Sequence, residues 1–153
     1  MKNTLKVKGH IVAEHRRNGV LLSRTERDNT IMNVAFAVFS GLVGATGTQV
    51  AFTYLALGTS STAPVASQTT LVAETAVSGL TRAAATVTRT TTTQTNDTLS
   101  LTKTFTAAGT ATINEVGIFN DPTVGVMAGR ALTGTKALIS GDTLAITYTI
   151  QFS

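Results

Sequence analysis

The chain has 153 residues and carries 12 Lys or Arg against 8 Asp or Glu, a net charge of +4, with no cysteine. Disulfide bonds and thiolate metal sites are therefore excluded, and the length suits one domain around one hydrophobic core. Threonine, which favours pleated sheet, occurs 31 times, and no apolar run is long enough to span a membrane.

The positive charge is concentrated in the first 32 residues, where acidic side chains are interleaved with basic ones. Alternation over residues 4–15, the turn-forming Asn18-Gly19 pair and a return strand over 20–27 predict a β-hairpin. We interpret residues 1–28 as a basic arm that attaches the protein to an acidic surface. A solvated hairpin is the alternative, and the lack of nearby aromatic side chains argues against nucleic-acid binding. The cations of the arm are Lys2, Lys6, Lys8, Arg16, Arg17, Arg24 and Arg27.

One short helix is predicted over residues 31–43. Apolar side chains recur there at helical spacing, residues 28–30 offer an N-cap, and Gly47 closes the segment. The apolar run lies too far into the chain for a secretory signal, which predicts synthesis in the cytoplasm. We expect its stripe to pack in the core or against neighbouring subunits. The predicted subunit contacts are Phe36, Phe39 and Leu42.

The middle of the chain predicts strands that alternate with small-residue loops. A Thr-rich hairpin over residues 86–99, which turns at Asn96-Asp97, has little apolar surface of its own. We therefore expect it to pack on a neighbouring subunit. The predicted elements of this region are a strand over 52–57, a loop to Gln68, one helical turn over 71–74 and a long strand over 80–93.

Glu115 interrupts the otherwise apolar strand predicted over residues 111–119. Such a carboxylate is either buried beside a cation or placed at an interface, and Arg82 and Arg130 are the candidate partners. We interpret Glu74 and Glu115 as structural acids that tie strand to loop through these arginines. A catalytic pair formed by the two acids is the disfavoured alternative, because no aromatic platform for a sugar lies nearby.

The end of the chain completes an all-β pattern. Strands are predicted over residues 124–131, 133–138 and 144–152, and the last shows strict alternation of apolar and polar side chains. About eight short strands with one helix predict a mainly β fold, namely an antiparallel β-sandwich or jelly-roll-like domain. Residues 29–153 form this single domain, and the basic hairpin arm precedes it.

No residue pattern points to catalysis. His10 and His15 lie on opposite faces of one predicted strand, so they cannot bind a metal together. The chain contains no nucleophile elbow, phosphate-binding loop or dinucleotide fingerprint. We therefore predict a protein without enzymatic activity, cofactor or metal site.

Several stretches resemble a family of small structural proteins of tailed bacteriophages, which includes capsid-decoration, tail-fibre and baseplate accessory proteins. The similarity extends over roughly residues 9–152, and the order of the stretches carries it. Gly-Thr-Ser-Ser at 58–61 departs from the usual Gly-Thr-Gly-Thr of the family. The stretches are YLALGT at 54–59, TLVAE at 70–74, LTR at 80–82, INEVGIF at 113–119, GVMAGR at 125–130 and GDTL at 141–144.

The resemblance implies a virion component that acts by homo-oligomeric assembly, with a trimer as the favoured state. Capsid decoration and a neck or tail accessory role are both consistent with the length of the chain. Other virion proteins are then the partners, with no role for a membrane. A host-receptor or carbohydrate-binding module is the alternative function, although the chain has no Trp and only two Tyr to form an exposed platform.

Overall fold

A computed structural model of the protein describes residues 4–77 and 79–153. The structure is mainly β, with 51% strand and 7% helix. The elements in chain order are β1 (Val7–Arg17), β2 (Val20–Ile31), α1 (Ala35–Gly44), β3 (Tyr54–Gly58), β4 (Ala83–Ala84), β5 (Thr86–Thr90), β6 (Thr98–Thr106), β7 (Ala111–Phe119), β8 (Met127–Leu138) and β9 (Thr143–Phe152).

Within the described residues, nine strands form one antiparallel sheet in the order β4-β3-β7-β8-β2-β1-β9-β6-β5. Only Ala85 separates β4 from β5 in the chain, yet these strands lie at opposite ends of this order. The chain thus joins the two edges, and the sheet is nearly closed into a barrel. The predicted mainly β, antiparallel fold is confirmed, whereas the sandwich and jelly-roll details stay predictions.

The predicted N-terminal hairpin is present, with Asn18 and Gly19 at φ of 50° and 81° in its turn. It is not a separate arm, contrary to the sequence analysis. β1 lies between β2 and β9 and pairs with β9 along its length. Ile11 and Ala13 of β1 are fully buried. The charge boundary near residue 28 therefore does not coincide with a structural boundary, and removing residues 1–27 would remove an interior strand.

Side chains from both ends of the strand order meet in one hydrophobic core. Leu57 and Ile118 of β3 and β7 are buried in the same cluster as Leu101 and Ile146 of β6 and β9. A second cluster lies on the opposite face of β3 and β7, beneath the long loop between β3 and β4. Its members are Met32, Ala56, Leu71, Phe119 and Met127.

α1 begins at Ala35, later than predicted. Residues 30 and 31 pair with β8, so β2 continues through the segment expected to cap the helix. Val34 occupies the N-cap position without a side-chain hydrogen bond, and Ala45, at φ 48°, follows the last turn. The predicted helix start was wrong because Thr30 and Ile31 are held in the sheet by pairing with β8.

Three other predicted elements differ from the structure. Residues 71–74 form no helical turn, because Glu74 forms a β-bridge with Gly58 and the neighbouring backbone groups bind to the end of β3. The long strand predicted over 80–93 is divided at Ala85, where the chain changes its partner from β3 to β6. The two strands predicted between residues 124 and 138 are largely one strand, β8.

Candidate functional site

An apolar surface lies on α1. The sequence of this helix, AFAVFSGLVG, contains no charged residue, and only Ala35 and Val38 are buried. Phe36 is 50% exposed, Leu42 is 41% exposed and Val43 is 91% exposed. We call Phe36, Leu42 and Val43 the α1 surface. A patch of large, exposed apolar side chains is normally covered by a partner, so this surface is suited to a protein contact.

Phe39 attaches α1 to the sheet. Its ring packs edge to face against Phe52 and Phe152, with centroid distances of 5.5 and 5.6 Å. Beside it, an apolar groove of about 320 Å³ includes Leu42 and Val43 in its wall. Of the three predicted subunit contacts, Phe36 and Leu42 are thus exposed to solvent. Phe39 instead packs against aromatic rings of its own chain.

Glu115 and Arg130 form a fully buried ion pair on one face of β7 and β8. Residues 59–77, the first part of the long segment between β3 and β4, cover this face and are called the 59–77 loop. Arg130 Nε donates to Glu115 Oε2 at 2.5 Å, and neither side chain is exposed. The other guanidinium nitrogens donate to Gln68 Oε1 at 3.0 Å and to the Thr62 carbonyl oxygen at 2.8 Å. Two charges are thus neutralised beneath the loop, and the Arg130 side chain contacts it directly.

The Glu115 carboxylate also fixes the backbone of this loop. The N–H groups of Ala73 and Val72 donate to it at 2.8 and 3.3 Å, and that of Ser60 at 3.4 Å. A Cβ at Gly58 would collide with the same carboxylate, so glycine is required where the loop leaves β3. The pair therefore positions both ends of the loop.

Glu74 and Arg82 form the second predicted pair. Arg82 Nε and Nη2 donate to the two Glu74 oxygens at 3.0 and 2.7 Å, a bidentate arrangement. The guanidinium lies 3.6 Å above the centre of the Phe119 ring. The structure therefore brings together Glu74 with Arg82 and Glu115 with Arg130.

The sequence analysis missed a third ionic group, beside the turn of the β1–β2 hairpin. Asp142 is 1% exposed and accepts hydrogen bonds from Arg17 Nε and from His15 Nε2, both at 2.8 Å. The hydrogen bond from Arg17, followed by that from His15, lowers the pKa of Asp142. Asp142 lies in a Ser-Gly-Asp turn, and this local role concealed its long-range partners.

Three of the cations assigned to the hairpin arm have acidic neighbours within the chain. Arg16 contacts Glu14 at 2.9 Å, Arg24 contacts Glu26 at 2.5 Å, and Arg17 contacts Asp142. Lys6, Lys8 and Arg27 also belong to the described residues, whereas Lys2 lies outside them. Much of the positive charge assigned to attachment is thus neutralised locally.

Lys136 was not singled out from the sequence, yet it is 2% exposed. Its Nζ donates to Ser23 Oγ at 3.0 Å and to Thr25 Oγ1 at 2.8 Å. Burial, together with the charge of Arg27, lowers the pKa of the Lys136 amine. This side chain connects β8 to β2 beyond the two residues at which their backbones pair.

Among residues 4–77 and 79–153, no group of three or more His, Asp or Glu side chains is placed to bind a metal ion. No helix in that part of the chain is long and apolar enough to cross a membrane. Comparison with protein families, curated proteins and solved structures finds no match to this chain. The α1 surface and the buried ionic groups are the features that bear on function.

Proposed function

We propose that this protein is a non-enzymatic structural component of a tailed-phage virion that acts by homo-oligomeric assembly. The observation that carries the proposal is the α1 surface, because Val43 is 91% exposed at the end of a helix without a charged residue. Large apolar patches on a soluble protein mark sites of protein contact. Assembly through α1 would cover this patch.

The virion role is supported by the order of the phage-like stretches. Two of them, at residues 70–74 and 113–119, contain Glu74 and Glu115, whose contacts fasten the 59–77 loop to the sheet. A loop held by ion pairs and a nearly closed sheet suit a particle component that works by shape. The proposed partners are further copies, with a trimer favoured, and other capsid or tail proteins.

Attachment to the particle is proposed to use the outward face of the hairpin. Lys8 is exposed there, and Lys6 precedes β1. Because β1 is an interior strand, charge reversal is a sharper test than deletion. K6E/K8E should weaken attachment while the isolated protein stays folded. An equal number of attached copies would overturn this role for the two lysines.

A jelly-roll-like arrangement of two layers belongs to the same proposal. One layer would contain β5, β6, β9, β1 and β2, and the other would contain β4, β3, β7 and β8. The shared core supports this division, because Leu57 and Ile146 belong to one cluster although their strands lie far apart in the sheet order.

Sedimentation velocity tests the assembly step. F36S/V43S should shift the purified protein from oligomer to monomer, because it removes the two most exposed apolar side chains of α1. V65S/V124S is the matched control, since Val65 and Val124 are 54% and 73% exposed and do not belong to α1. A wild-type protein that stays monomeric at high concentration would overturn the assembly proposal.

Antibody-gold labelling of intact phage particles tests the virion role. Label spread over the head would identify a capsid-decoration protein. Label restricted to the neck or tail would identify a tail accessory protein. Particles that contain the protein by mass spectrometry but bind no gold would place it beneath the surface. Particles without the protein would overturn the virion proposal.

A further inference from the structure

The outer face of β5, β6 and β9 is an array of hydroxyl side chains. Cross-strand partners share a face, and Leu101, Ile146 and Tyr148 occupy the buried one. Every position on the other face is Thr, Ser, Ala or Gln. These positions are 86, 88 and 90 in β5, 98, 100, 102, 104 and 106 in β6, and 143, 145, 147, 149 and 151 in β9.

No charged residue occurs at these outward positions, although most of them are accessible. Thr102 and Thr104 are exposed, and Thr147 is half-exposed. Exposed sheets usually carry charged side chains, which keep them soluble and prevent stacking. The neighbouring outward face of the β1–β2 hairpin follows this rule, because it carries Glu14, Arg24 and Glu26, which we call the hairpin ladder. The hydroxyl array lacks this protection, which distinguishes it from an ordinary solvated face.

A polar groove of about 350 Å³ lies at one end of the array. Thr149 and Gln151 of β9 form part of its wall, so the groove is continuous with the hydroxyl face. Lys8, His10 and Asp28 add an ammonium, an imidazole and a carboxylate, and the Asp28 side chain is 94% exposed. The groove therefore presents both donors and acceptors to a ligand.

We propose that this face and its groove bind a neutral polysaccharide. Sugar hydroxyls both donate and accept hydrogen bonds, as Thr hydroxyls do, and they need no countercharge. Phosphate-rich ligands require cations, which the array does not contain. A second copy packed on this face would bury many hydroxyl groups that a protein surface rarely satisfies one by one. An uncharged, hydroxyl-rich polymer matches the array better.

The face offers no aromatic ring for stacking, so each site should bind weakly. Repeated sugar units along a polymer, and several copies of the protein in an oligomer, would strengthen binding through effective concentration. The proposal does not depend on a virion location. It also uses a different surface from α1, so the two proposals can fail separately.

The test is co-sedimentation of the full-length protein with amylose, cellulose and cross-linked dextran, and with heparin-agarose as an anionic probe. T102K/T147K places two ammonium groups on adjacent strands in the centre of the array. T112K/T135K is the matched control, because both threonines are exposed on neighbouring strands, β7 and β8. Circular dichroism would establish that both variants remain folded.

We expect binding to at least one neutral polysaccharide, weakened about tenfold by T102K/T147K because hydroxyl contacts are lost and a charge must be desolvated. T112K/T135K should bind like the wild type. Three results would overturn the proposal: no binding to any neutral polysaccharide, equal binding by T102K/T147K, or binding to heparin alone. Dissociation of an oligomer by T102K/T147K without polysaccharide binding would also overturn it and identify the face as a subunit contact.

Discussion

The buried pair beneath the 59–77 loop and the charged ladder on the β1–β2 hairpin use the same side-chain chemistry in opposite surroundings. Glu115 and Arg130 are fully shielded from solvent and bind each other, the loop backbone and Gln68. Glu14, Arg24 and Glu26 also form close pairs, but their side chains are 27%, 44% and 49% exposed. Water and salt therefore screen the ladder and do not reach the buried pair.

This contrast shows that burial, rather than the number of ion pairs, determines which charges the fold depends on. A buried charge that loses its partner keeps its full desolvation penalty, whereas an exposed one is rehydrated. The hairpin ladder then serves solubility and surface contacts. The Glu115 and Arg130 pair holds a loop against the sheet. Four substitutions test this division, from the largest expected effect to the smallest.

E115Q should lower the free energy of unfolding by about 3–5 kcal/mol, because Arg130 would remain buried without a countercharge. Urea denaturation followed by circular dichroism measures the change. The double variant E115M/R130M should lose less than the sum of the two single variants, since it removes both charges. A loss below about 1 kcal/mol for E115Q would contradict the distinction between the two regions.

D142N should remove part of the acid sensitivity of the fold. The pKa of Asp142 is lowered by Arg17 and His15, so its stabilising contribution is present above about pH 4 and is lost as the pH falls further. The variant should be less stable at pH 7, by less than E115Q, and should lose less stability between pH 5 and 2. Melting temperatures across that range measure this.

D28N provides the control for the acid experiment, because it makes the same chemical change on a side chain that is 94% exposed. Between pH 5 and 2, the D28N variant should lose nearly as much stability as the wild type does. If D142N and D28N gave superimposable pH profiles, the contacts of Asp142 with Arg17 and His15 would have no bearing on acid stability.

R82K should cost about 1–2 kcal/mol, because lysine cannot keep the bidentate contact with Glu74 or stack as a plane on Phe119. The Arg82 side chain is 7% exposed and that of Glu74 is 32% exposed, so this pair is intermediate between the two regions. Thermal unfolding measures the loss. R89K, at an exposed position on β5, is the control and should melt like the wild type.

E14Q should change stability by less than about 1 kcal/mol, the range of exposed ion pairs. Glu14 contacts both Arg16 and Arg24, and water can replace either contact. Any loss should disappear in 1 M NaCl, where charges are screened within about 3 Å. A loss that persists in high salt would show that the hairpin ladder contributes more than solvated pairs do.

Local patterns in the sequence predicted the strands in which one pattern of burial continues from end to end. The strict alternation near the C-terminus and the apolar run around Glu115 correspond closely to β9 and β7. The Glu115 carboxylate lies in such an apolar run and therefore requires a cation. This requirement restricted its expected partner to Arg82 or Arg130. The structure brings Arg130 to Glu115 and Arg82 to Glu74.

Contacts between residues far apart in the chain explain what the local sequence patterns did not reveal. Residues 28–30 have the composition of a helix cap, but pairing with β8 draws the end of this segment into the sheet. His15 and Asp142 are 127 positions apart, so no spacing rule connects them. The hydroxyl array was concealed in a similar way, because β9 comes from a different part of the chain than β5 and β6 and aligns with them only through sheet register.

The crossing at Ala85 also has a consequence for the folding pathway. The short segment on either side of this residue must pair with β3 at one edge and with β6 at the other. The β5–β6 pairing is local, because residues 91–97 join these strands, whereas β4 must find β3 across the long loop between them, which lengthens the search and slows folding. Until that segment docks, two strand edges remain available to other chains. Newly made protein is therefore most prone to aggregation immediately before the sheet closes, and dilute conditions or a chaperone would favour correct folding most at that step.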